Sequence, residues 1–282
     1  MILPLVGAVD TFWVGRMENA LALAGQAAAN QIFSSAFWVI AFLPSVVAPV
    51  VAKAAATGDK ETVRKRVGEA VYVSILMGCV GMILVDQCSE QLLNLVMSNA
   101  SPAREFAEPY LSIRAYTFIP ALVATVGFAA FRGTMDVVTP LKISFLSNLL
   151  NIIADPIFMF RLGMGVAGAA VATGIAEMTS AAIYLWLMTR RKLASWSHIL
   201  RPPPWSSLKT LLLGGTGVQL RSVALNVAFI SVQRTTLALD STGTAAAAHA
   251  ITVNLWQVGQ SLARRCSRER SPAWGQRLCV ES

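Results

Sequence analysis

The sequence predicts an all-α fold, a polytopic transmembrane helical bundle, and three observations carry that expectation. Apolar residues gather into blocks of about 20 or more, the length needed to cross roughly 30 Å of hydrocarbon. Hydrophobic residues make up 55% of the 282 positions and charged residues 13%, against roughly 25% charged in an ordinary soluble domain. Most charges fall between the blocks, and mean hydropathy is +0.58.

Eight apolar segments can be drawn, at about 1–14, 28–52, 70–97, 109–131, 140–160, 166–189, 208–232 and 244–263. The connecting loops alternate in charge. Residues 53–69 hold Lys53, Lys60, Arg64, Lys65 and Arg66, and residues 190–209 hold Arg190, Arg191, Lys192, Arg201 and Lys209. Arg132 and Lys142 mark a third basic loop at 132–142, while the loops near 15–25, 98–108, 161–165 and 233–243 each carry a single Arg. Positive loops stay on the cytoplasmic side, so the amino terminus and the basic loops are expected to be cytoplasmic. The first segment, at 1.5 Å per residue, is too short to span. The last 19 residues, Arg264–Ser282, turn abruptly polar. The chain is expected to begin inside its first helix and to end on sequence outside the fold. The expected organisation is a six-helix amino-terminal bundle over 1–194 and a cytoplasmic linker over 195–207. The first two helices of a second bundle follow over 208–263, then a basic tail over 264–282. In 163–177, GMGVAGAAVATGIAE, small residues allow close helix approach.

The fifth segment carries the most telling polar residues. At 100° per residue, Asn148, Asn151 and Asp155 fall within roughly 60° of one another, and Ser144 extends the stripe by a turn. A carboxylate at the centre of a membrane helix costs about 2.5–3.5 kcal/mol. Asp10 stands in the first segment, and Thr173 and Glu177 share a face of the sixth at i, i+4 spacing. Pro156 disfavours helical geometry at Asp155 and removes a backbone donor, which can free carbonyls for a cation. Asp10, Asn148, Asn151, Asp155 and Thr173 together supply two carboxylates and neutral oxygens, a set able to hold a proton or Na⁺. Interhelical hydrogen bonding, at about 0.6 kcal/mol per bond, is the competing role. It suits Asn148 and Thr173, whereas gluing helices does not require the charge of Asp10 and Asp155. If those two acids share a cavity they titrate as a unit, with one proton held between them.

Other polar positions say less. Asp86 and Glu90 approach the end of the third segment and read as interfacial. Arg221 and Asn226 in the seventh segment are candidates to line a cavity. His198 sits in a basic loop and His249 near a helix start, with no H-E-x-x-H pattern, so neither a metal nor any other cofactor is implied. No nucleotide-binding glycine loop appears. Cys79 and Cys88 share one apolar segment and Cys266 and Cys279 lie in the tail, without a C-x-x-C or disulfide framework. The net charge of +8 is explained by the positive-inside bias rather than by nucleic acid, since no aromatic interleaving accompanies it. The start lacks a basic n-region, and Asp10 interrupts its apolar run, so it does not read as a signal peptide.

Taken in order, these pieces resemble the MATE (multidrug and toxic compound extrusion) transporters, most closely their DinF-like branch. The first-helix piece is P4-L-V-G-A-V-D10-T-x-x-V-G15, and the fourth-to-fifth loop reads F131-R-G-x-x-D136-x-x-x-P140. N148-x-x-N151-x-x-x-D155-P and G163-M-G-V-A-G-A-A-V-A-T173 follow, then A246-A-A-H249-A-I-x-x-N-L-W256. The resemblance covers residues 3 to about 263, and the strength lies in order and spacing. It implies a twelve-helix exporter of two six-helix bundles working by alternating access. It places a cation-coupling site on Asp10, Asn151, Asp155 and Thr173; the polar stripe and helix faces read above add Ser144, Asn148, Glu177 and Asn226 as cavity-lining candidates. Residues 29–38 and 247–256 faintly echo one another, as a parallel repeat would.

The functional expectation is a secondary transporter in which H⁺ or Na⁺ drives export of small amphiphilic or cationic compounds. Its partners are then a small-molecule substrate and the lipid bilayer, with no protein partner implied and no enzymatic chemistry. A lipid-linked oligosaccharide flippase would need a cationic cavity, and the mid-membrane charges read as acidic apart from Arg221. A seven-helix receptor would need a ligand-facing loop or domain. A non-functional fragment of such a transporter is the remaining alternative.

Overall fold

A computed structural model describes residues 10–205, 216–239, 242, 244–253 and 255. Helix α1 (residues 10–15) leads through a short turn to α2 (Ala20–Ile40). Asn19 starts α2 by accepting hydrogen bonds from the amides of Leu21 and Ala22 at 2.9 and 3.3 Å, which satisfies donors that a helix start leaves free. Together with the alanine-rich run that follows, this cap starts the helix eight residues before the expected boundary at 28. The expected loop at 15–25 is therefore mostly helix. The single segment expected at 28–52 is broken after Ile40, and α3 (Leu43–Ala56) restarts with Pro44 in its first turn.

Helix α4 (Lys60–Gln87) also begins earlier than the expected boundary at 70, because Asp59 accepts from the amides of Glu61 and Thr62 at 3.1 and 3.0 Å. Much of the expected loop at 53–69 is its first turns. The segment expected at 70–97 ends in a break at Cys88 and the short α5 (Ser89–Asn94). The fourth span is bent by 53° between α6 (Arg104–Tyr116) and α7 (Phe118–Gly133). Pro120 sits just past the bend, where its missing amide and its ring disfavour an unbroken helix. Helix α8 (Val138–Pro156) passes into a π-turn (Ile157–Arg161), and α9 (Val166–Arg190) follows after Gly163 and Gly165, both at positive φ. Residues 20–56, 60–87, 138–161 and 165–190 are each long and apolar enough to span a membrane, and 104–133 is a fifth span if the bent pair is counted as one.

The core is built from α7 packed on α3, α4 and α9, with α8 on α9 and α2 on α6. Phe118, at the bend, belongs to the larger apolar cluster, where it meets Phe33 and Phe37. Outward faces stay apolar: Leu76, Val80 and Ile83 on α4, and Phe145, Leu149 and Ile153 on α8, are exposed. Such faces suit lipid and not water. The helix Thr216–Leu239 packs on α2. The expected boundary at 208 falls within residues 206–215, which lie outside the described residues. Beyond it residues 244–253 are helical, with Ala246 and Ala247 joining the buried clusters. The basic tail and the rest of the expected eighth segment also lie outside the described residues.

Three basic stretches meet at one end of the bundle. The Arg64 Nε donates to the Lys192 carbonyl at 3.3 Å, and Arg191 pairs with Asp136 at 2.6 Å. The short α10 (Trp196–Ile199), within the expected linker, folds back on α4, bringing His198 Nε2 3.9 Å from Glu61.

Candidate functional site

Four polar side chains from three helices converge beneath this framework. Asn151 and Asp155 lie one turn apart on α8, and both are buried. The Asn151 amide donates to Asp155 Oδ1 at 3.3 Å and to Thr173 Oγ1 on α9 at 3.2 Å. The Thr173 hydroxyl has one proton to share between the Ala169 carbonyl at 2.9 Å and Asp10 Oδ2 at 3.5 Å. Asp10, on α1, is 7% exposed. Thr173 thus links Asp10 to Asn151, and through Asn151 to Asp155.

Helix packing sets this geometry. Trp13 of α1 meets Phe160 of the π-turn edge-on, with centroids 6.1 Å apart. Gly168 lets α9 lie against the Phe158 backbone, since a Cβ there would fall 2.6 Å from the Phe158 carbonyl carbon. Ser147 ties α8 to α9 by donating to the Ala176 carbonyl at 2.9 Å. Sequence reasoning missed Ser147, which lies one residue from the stripe. Pro156 does not unwind Asp155, which stays helical. The irregularity appears one residue later, as the π-turn, in which the Leu162 amide bonds to the Ile157 carbonyl at 2.9 Å.

Acceptors outnumber donors in the cluster. Asp10 Oδ1, Asn151 Oδ1 and Asp155 Oδ2 are buried without a hydrogen-bond partner. Buried acceptors left unmatched are costly, and a proton or small cation among them would offset that cost.

The remaining expected positions scatter. Asn148 is half-buried on α8 with its Nδ2 unmatched. Ser144 is half-buried on α8. Asn226 lies half-buried on the helix Thr216–Leu239, which packs against α2. Glu177 pairs with Arg114 of α6 at 3.0 Å. Arg114 corrects the expectation that Arg221 is the single mid-membrane cation. Its Nη1 also donates to Thr117 at 3.0 Å, and its guanidinium carbon lies 3.9 Å from the Phe33 ring centroid. The signal was present in the sequence, as a lone Arg six residues into the fourth apolar segment. Among the described residues Arg221 has a helical backbone, and its side chain lies outside them.

A helical bundle that is apolar outside and gathers acids across three helices defines a multi-pass integral membrane protein with an intramembrane polar centre. The chain belongs to the MatE family, whose model matches residues 1–157, and members of this family are membrane transporters, not enzymes. It is 32% identical over 266 residues to Protein DETOXIFICATION 44, chloroplastic, of Arabidopsis thaliana, covering 90% of this chain and 49% of that protein. It is 30% identical over 219 residues to the Probable multidrug resistance protein NorM of Thermotoga maritima, covering 75% of this chain and 46% of that protein. A solved inward-facing conformation of a multidrug resistance MATE family transporter of the MOP superfamily superposes with a TM-score of 0.81. Sequence identity to it is 20%, with 90% of this chain and 58% of that one covered, so that likeness is one of fold. The chain spans about half the length of the curated relatives it matches.

Proposed function

We propose that the protein serves cation-coupled antiport, in which H⁺ or Na⁺ moving down its gradient drives export of small amphiphilic or cationic organic compounds by alternating access. The observation that carries this reading is the meeting of Asp10, Asn151, Asp155 and Thr173 around buried oxygens that lack donors. A proton or Na⁺ bound there cancels charge across α1, α8 and α9. Its departure leaves like charges side by side and favours a different packing of α1. Two packings biased oppositely by cation and substrate make their binding alternatives, which is the requirement for exchange. The basic end of the bundle then faces the cytoplasm. A flippase of anionic lipid-linked sugars fits less well, because Arg114 is neutralised by Glu177.

Proteoliposomes carrying the protein and loaded with ethidium test the proposal. An imposed pH gradient or Na⁺ gradient is expected to drive ethidium movement against its own gradient, and the effective ion identifies the coupling. Transport indifferent to both gradients contradicts cation coupling.

A further inference from the structure

Arg114 is a full charge with a side chain only 7% exposed, and the carboxylate cluster makes no direct hydrogen bond to it. It lies three residues before the 53° bend, held by Thr117 and stacked on Phe33. Its Nε is buried without a partner. On one side stands Glu177, 23% exposed, with Oε1 on the guanidinium and Oε2 buried and unmatched. One turn earlier on α9, Thr173 meets Asp10 at 3.5 Å, which sets the carboxyl cluster one helical turn from the Arg114–Glu177 pair. One guanidinium therefore lies near two acid sites.

The charge balance gives this arrangement a meaning. With one proton shared by Asp10 and Asp155, that pair carries −1, Glu177 −1 and Arg114 +1, a sum of −1. Loss of the proton makes the sum −2, and arrival of one organic cation restores −1. The low-dielectric interior penalises any uncompensated charge, so one cation in for one proton out is the exchange that keeps the balance.

We propose that Glu177 is the seat for the positive group of a cationic organic substrate, and that Arg114 fills this seat when no substrate is bound. Displaced by substrate, the guanidinium turns toward Asp10 and Asp155 and stabilises their ionised form, so the shared proton leaves. Phe33 offers the ring face on which the guanidinium pivots, since stacking tolerates rotation that a forked ion pair does not. Arg114 is in this scheme a positioning residue and Glu177 a substrate-binding one. The inference deepens the antiport reading above and rests on it.

The test uses purified protein in detergent with tetraphenylphosphonium as the cation, measuring affinity and protons released per cation bound in weak buffer. Wild-type protein is expected to release about one proton per cation. Glu177→Gln should bind about tenfold more weakly or worse, and Glu177→Asp should recover much of that affinity. Arg114→Met should bind the cation yet release no proton. If Arg114→Met does not fold, the double variant Arg114→Met/Glu177→Gln removes the pair while keeping its volume, a change often tolerated. It should bind weakly and release nothing. Tetraphenylphosphonium binding undiminished in Glu177→Gln or in the double variant overturns the proposal, as does proton release undiminished in Arg114→Met, or wild-type protein that binds no tetraphenylphosphonium. Asp155→Asn separates the two levels. Proton release that survives in Asp155→Asn sinks the antiport site and this inference with it. Release lost in Asp155→Asn together with full affinity in Glu177→Gln sinks this inference alone.

Discussion

Asp136 shows how one side chain secures the end of the bundle that carries the basic loops. It accepts from the amides of Val138 and Thr139 at 3.1 and 3.0 Å and from the Thr139 hydroxyl at 2.6 Å, and it meets Arg191. These contacts, the Thr139 hydroxyl first, lower its pKa from 3.8 to about 2. A depressed carboxyl pKa contributes stability that is fully present above the unfolded value and is lost as pH falls through the folded one. Asp136→Ala should therefore lower thermal stability at neutral pH by about 0.5–2 kcal/mol, the usual worth of a helix cap. The gap between the two proteins should narrow below pH 3.8 and close near pH 2, as read by thermal unfolding in detergent. A gap that is constant from pH 7 to pH 2 contradicts this account. Asp136 was legible in sequence as part of a pattern, but its partner Arg191 was not, because an ion pair between distant loops leaves no periodic trace. The same holds for Arg114 and Glu177: Glu177 was legible as a polar position on the face of Thr173, but its pairing with Arg114 on another helix was not.

At the scale of helices, local sequence chemistry explains what was readable and what was not. The stripe on α8 follows from helical periodicity, and the sixth segment expected at 166–189 matches α9 at Val166–Arg190 within a residue. Boundaries set by caps were missed, since Asn19 and Asp59 extend α2 and α4 into stretches that hydropathy assigns to loops. The consequence of Pro156 was also misplaced, because the chain resolves the missing amide with a π-turn downstream and leaves Asp155 helical. The α8–α9 register that places Thr173 beside Asn151 depends on Gly168. Gly168→Ala puts a Cβ 2.6 Å from Phe158 backbone, which cannot yield as a side-chain tip can. A loss of about 1–3 kcal/mol is expected, together with impaired transport. Gly15→Ala, with nothing within 4 Å of its Cβ, should change thermal stability far less. Equal effects of the two substitutions would remove packing at Gly168 from the account.

At the scale of the molecule, alternating loop charge gives an orientation, and the meeting of residues from 53–69, 132–142 and 190–201 at one end agrees with a shared side. Cysteine placed in turn at Thr57 and Ser197 in a cysteine-free background should be labelled from the same side of the membrane. If that membrane is the plasma membrane, labelling should appear only after permeabilisation, and labelling from outside intact cells would reverse the topology. The central claim is that Asp10 and Asp155 couple cation movement to substrate movement and do not merely hold helices together. Comparing gradient-driven transport with passive substrate counterflow in Asp155→Asn and Asp10→Asn proteoliposomes tests this most directly. The substitutions keep size and hydrogen bonding but remove the charge. The account predicts that driven transport is lost in both variants while counterflow continues at a rate within about tenfold of wild type; driven transport that persists in either variant would contradict it.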